Sequence, residues 1–175
     1  MPPTTDLGEE FEAKSDAFLR SAQHPTLGRS YLETTYAPMV ELLASLETNG
    51  FSHYVVSGGG RDFIRPVTQD RYGIPRERVI GSVTTLEYVS GEYCGTVNHK
   101  AEADYLDDGT EKPVRIWSRT GRRPVFAAGK GSRNNYVHSS GCVALSMTAC
   151  HPAQQPADLL IKHLRRLHEA TTRPW

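Results

Sequence analysis

The residues best placed to do chemistry are Ser57, Gly58, Gly59 and Gly60, which follow the apolar run Tyr54-Val55-Val56 and precede Arg61-Asp62-Phe63-Ile64. That order reads as strand, tight turn, helix. Glycines let the backbone approach an anion closely, and the first turn of the helix adds unpaired N–H groups and the positive end of its dipole. Ser57 adds a hydroxyl, so the simplest ligand is phosphate; the plainer reading of Ser57 is a helix N-cap. Arg61 and Asp62 face a ligand or form an exposed first helical turn. Other polar clusters are read structurally. Cys142, Cys150, His138 and His151 lack the paired spacing of a zinc site. Arg115, Arg119, Arg122 and Arg123 read as a solvated face, and Asp107-Asp108-Gly109-Thr110 as a turn.

The flanking elements must hold this turn in place. Leu7, Phe11, Ala13, Phe18, Leu19 and Ala22 fall close to helical spacing and predict an amphipathic helix from Leu7 to Ala22. A second helix is predicted from Ala37 to Leu46, with Pro38 in its first turn and Asn49-Gly50 at its end. It leads directly into the strand Phe51–Val56. A helix from about Arg61 passes Pro66 with a kink or restart and stops near Tyr72-Gly73. Val79–Ser82 predicts a short buried strand. Val83–Tyr88 and Tyr93–Asn98 predict a hairpin around Ser90-Gly91-Glu92. Glu111 to about Arg119 predicts another helix, and Val125–Gly129 another strand. Helix and strand thus alternate as in an α/β protein, where ligands bind at the carboxyl edge of the sheet. Beyond Lys130 no period is evident until a helix predicted from Ala157 to Ala170.

The 175 residues suffice for one ordinary core. Twenty basic residues balance twenty acidic ones, so bulk charge favours neither nucleic acid nor an anionic membrane. No apolar run approaches the length of a membrane span, and MPPTTDLGEE has no apolar signal region. Three irregularly spaced cysteines, Cys94, Cys142 and Cys150, suit a reducing compartment, so a cytoplasmic protein is expected.

The stretch NGFSHYVVSGGGRDFIRPVTQDRYGIPRERVIGS, followed by Lys112 within EKPVRIWSRTGRRPVFAAG, resembles the haloacid dehalogenase-like hydrolases, in the branch similar to phosphoserine phosphatases. The resemblance spans roughly Leu7 to Gly129. It implies an incomplete Rossmann-like doubly wound parallel sheet over residues 36–129, with a cap-domain remnant in 1–35, a small β-hairpin, and a divergent segment over 130–175 that ends in a helix. It also implies Mg²⁺-dependent hydrolysis of a small phosphorylated metabolite. Ser57, Gly58 and Gly59 would bind the phosphoryl group, and Lys112 would act as the catalytic cation that neutralises developing charge. The plainer reading of Lys112 is a solvated residue near a helix start.

Two parts of that family's machinery have no counterpart in this chain. No Asp-x-Asp nucleophile precedes Ser57, and aligning Asp107-Asp108-Gly109-Thr110 on it puts Leu106 in the nucleophile's place. Lys130 and Asn134 stand where an asparagine and a metal-binding aspartate belong, which opposes Mg²⁺ binding. The expectation is therefore a catalytically impaired phosphatase with no metal ligands of its own. The alternative is a non-catalytic phosphate-binding module, or a subunit completed by a partner chain. The sheet would lack the strand between those ending at Ser57 and Gly129, and the unpaired edges would favour self-association. The change of composition after Gly129 suggests a reading-frame change or an unrelated end.

Overall fold

A computed structural model describes residues 6–129 and 142–147. Six strands, β1 (Asp6–Leu7), β2 (Phe51–Gly60), β3 (Val79–Val89), β4 (Thr96–Tyr105), β5 (Phe126–Gly129) and β6 (Cys142–Met147), form one sheet in the order β1-β4-β3-β2-β6-β5. Four helices accompany them: α1 (Gly8–Ser21), α2 (Ala37–Thr48), α3 (Arg61–Tyr72) and α4 (Glu111–Thr120). The α/β, incomplete Rossmann-like expectation holds. Among the described strands the parallel pair is β2 with β3, joined by α3; the other pairings are antiparallel.

Each helix forms for a local reason. Pro38 lies in the first turn of α2, where a missing N–H costs nothing, and Gly50 leaves it at φ +80°. Gly73 and Gly121 close α3 and α4 in the left-handed conformation. Leu42, Leu43 and Leu46 of α2 bury against Phe51 of β2 and Ile74. Ile116 of α4 packs with Val56 of β2 and Ile80 of β3 in a second cluster. Each fully buried aliphatic side chain contributes about 1.5–3 kcal/mol. The 14-residue α1 lies along α3, with Phe18 against Phe63 and Glu12 bridged by Arg76 at 2.6 Å.

β1 was not expected, and β4 runs from Thr96 to Tyr105 rather than from Tyr93 to Asn98; two further differences bear on the topology. The segments Val79–Ser82 and Val83–Tyr88 are one strand, because no turn residue separates them and its halves pair on opposite sides. Val79–Ser82 runs beside β2, and Val83–Val89 beside β4. The second is β6, which lies in a segment without readable periodicity. It runs antiparallel between β2 and β5, in the place of the strand expected to be missing. The helix predicted over 157–170 lies outside the described residues. Among the described residues no helix is long and apolar enough to cross a membrane.

The βα junction is tight at Gly81. A Cβ there would stand 2.8 Å from the Gly59 carbonyl oxygen and 3.1 Å from the Arg61 backbone. Backbone atoms cannot swing aside as a side chain can. Gly81→Ala is expected to destabilise the fold by about 1–3 kcal/mol, read as a lower urea midpoint with an unchanged slope.

Candidate functional site

The carboxyl end of β2 gathers the predicted site residues and adds two that the sequence did not suggest. Ser57 is buried at the end of the strand, and its Oγ accepts the Gly59 amide N–H at 3.0 Å. It does not cap α3. The N-cap residue is Gly60, at φ −62° and ψ 124°. Ser82, on the neighbouring strand, donates its hydroxyl to the Gly58 carbonyl at 2.8 Å and accepts the Asp107 amide N–H at 2.9 Å. One serine therefore ties the glycine turn to the loop between β4 and α4. Across that join, the Asp107 carbonyl lies 3.6 Å from where a Gly58 Cβ would stand.

Asp107 and Lys112 are both fully buried. Among the described residues, neither Asp107 carboxylate oxygen has a hydrogen-bond partner. Burial pushes this carboxyl from its ordinary 3.8 up to about 6, against the attraction of Lys112 and Arg115. Lys112 sits in the first turn of α4, where the helix dipole disfavours a cation, so the Asp107 charge is its natural complement. The structure thus brings Lys112 to the same end of the sheet as Ser57, Gly58 and Gly59, with Asp107 between them. The solvated reading of Lys112 is overturned by its burial. A clue was available in the sequence: Asp107 precedes Lys112 by little more than a helical turn, so a buried lysine there would have a carboxylate within reach.

Asp62 behaves differently. It is buried beside Arg61 and Arg65, with contacts of 2.9 and 2.6 Å. Burial opposes its ionisation, but the two guanidiniums prevail and hold its pKa below the ordinary value. Arg115 and Arg119, expected on a solvated face, join Arg61 and Arg65 around a cleft between α3 and α4.

No model of a known protein family matches the chain. Over 84 residues it is 30% identical to L-lactate dehydrogenase 1 of Bacillus cereus, Bacillus thuringiensis subsp. konkukian and Bacillus anthracis. That similarity covers 45% of this chain and spans 27% of the length of each relative. These findings overturn the haloacid dehalogenase-like resemblance and with it the phosphatase and hydrolase reading. They give no support to the alternative of a phosphate-binding module or partner-completed subunit. The expected Mg²⁺ falls too: the relatives are dehydrogenases, and among the described residues no group of three His, Cys, Asp or Glu side chains could hold a metal ion. The motif misled because a glycine turn between a strand and a helix reports backbone geometry common to many βαβ units.

Asp107 gives stability a readable pH dependence. Its carboxyl binds a proton more tightly folded than unfolded, so its contribution falls as pH rises from 3.8 to about 6. Buried His53, whose pKa is pushed down by burial, acts in the opposite sense below its ordinary 6.5. The difference between wild type and Asp107→Asn isolates the carboxyl. The variant is expected to gain about 2–3 kcal/mol on wild type between pH 4 and 7 in urea unfolding.

Proposed function

We propose that β2, α3 and β3 form the dinucleotide-binding unit of a dehydrogenase-type protein, with the pyrophosphate seated over the glycine turn at the start of α3. The observation that carries this reading is the parallel β2–β3 pair joined by α3, whose first residue follows directly on Gly58-Gly59-Gly60. The partial likeness to L-lactate dehydrogenase 1 supports it.

The fit is good at the pyrophosphate. Gly58 and Gly60 occupy the first two glycine positions of a G-x-G-x-x-G turn, and the amides at the α3 N-terminus face an incoming anion. Phe63 occupies the third position, where a glycine usually allows close helix–strand packing. Here the close approach is provided from the other side, by Gly81 of β3. The fit is poor at the ribose. The residue in register with Gly60 on β3 is Ser82, not a carboxylate, and its hydroxyl is already engaged by Gly58 and Asp107. The chain's grip is therefore on the phosphates. A bound nicotinamide would supply hydride chemistry; the residues described here bind and orient, and none is assigned a catalytic role. The cytoplasmic location belongs to the same proposal, supported by the exposed free thiol of Cys94.

Fluorescence titration of the full chain with NADH tests this reading. Saturable binding is expected in wild type. The backbone at Gly60, φ −62° and ψ 124°, admits a side chain, so Gly60→Val should stay folded with the modest loss of about 1 kcal/mol that valine brings to an N-cap, while weakening NADH by about tenfold or more. Absence of saturable binding to folded wild type, or equal binding by the variant, would overturn the reading.

A further inference from the structure

A cleft of about 220 Å³ lies between α3 and α4; it borders the glycine turn through Arg61, but none of residues 57–60 lines it. One wall carries Arg61 and Arg65, the other Arg115, Ser118 and Arg119, and Val79, Ile80 and Tyr105 complete the lining. It follows the edge of β3 that β4 leaves uncovered, since β4 pairs with β3 only from Val83 onward.

The charges in this cleft are not balanced. Asp62 is shared by Arg61 and Arg65, and Glu111 pairs with Arg115. Among the described residues, Arg119 bonds the neutral Glu77 carbonyl. Glu12, the other carboxylate acting on Arg61 and Arg65, is itself bridged by Arg76. Four guanidiniums thus meet two carboxylates of their own. Arg65 feels the crowding: burial, then repulsion by Arg61 and Arg119, lowers its pKa. Arg115 lies with its guanidinium carbon 3.5 Å from the Tyr105 ring centre, and its Nε–H is buried with no acceptor.

We infer that this cleft is a binding site for a small dicarboxylate, separate from the nucleotide site and not dependent on that reading. Asp62, Glu111 and the Arg76 and Glu77 carbonyls take up part of each guanidinium; the excess positive charge on two walls suits an anionic group at each end of the ligand, held by charge-assisted hydrogen bonds. Val79, Ile80 and the Tyr105 ring suit an apolar spacer between them. The volume is below the roughly 300–1,000 Å³ of sites that enclose drug-sized ligands, which suits a ligand of a few carbons.

Succinate, butyrate and sulfate separate the terms, since butyrate keeps the four-carbon length with one charge and sulfate keeps two charges without a spacer. Calorimetric titration of the full chain should show saturable succinate binding, about tenfold tighter than either comparator. Arg119→Gln should weaken succinate by about tenfold, and Ser118→Glu, which places a carboxylate in the cleft from an exposed position, should abolish it. Gly60→Val should retain it, which keeps this test distinct from that of NADH binding. Comparable binding of butyrate or sulfate, no saturation by succinate, or full binding by folded Ser118→Glu would overturn the inference.

Discussion

The closeness of β3 to the glycine turn is the constraint on which the rest depends. Gly81 admits no side chain, so β3 approaches the Gly59 carbonyl and the start of α3 as nearly as backbone allows. The next residue, Ser82, is thereby within reach of Gly58 and can hold Asp107 by its amide. The β4–α4 loop is drawn over the end of β2 by two hydrogen bonds through one hydroxyl. Burial of Lys112 follows from that placement, and so does the charge it needs beside it.

Asp62 and Asp107 show how partners, rather than burial alone, decide a carboxylate's state. Both are almost wholly out of water. Asp62 accepts from two guanidiniums and stays ionised below the usual range, whereas Asp107 has an attractive charge nearby but no hydrogen bond to its oxygens. Coulomb attraction without a directed donor does not offset desolvation here. The same rule governs the cleft, where guanidiniums outnumber the carboxylates that could satisfy them.

Much of this architecture was legible in the sequence. Pro38, Gly50 and the leucines of α2 marked that helix, and the Ser57–Gly60 turn marked the strand-to-helix junction. The unread parts have physical causes. β6, Cys142-Val143-Ala144-Leu145-Ser146-Met147, is apolar at every position but Ser146, so no alternation marks it as a strand. β3 was divided in two because its change of partner leaves no mark on local residue types. The arginines of the cleft are dispersed from position 61 to position 119, and only the packing of α3 and α4 along one strand edge brings them together. The family resemblance failed for a related reason: glycines and one lysine describe a backbone shape and a charge, and neither specifies a reaction.

The position of β6 bears on the order in which the chain acquires its structure. α2, β2, α3 and β3 are consecutive, and their contacts close short loops. β6 pairs Val56 with Cys142 and Phe51 with Met147, across most of the intervening chain. Closing so long a loop carries a larger entropic cost, which the pairing must recover afterwards. During synthesis the β2–β3 unit emerges well before β6, so one side of β2 waits for its neighbour. An interior seam of the finished sheet, between β2 and β6, therefore closes late.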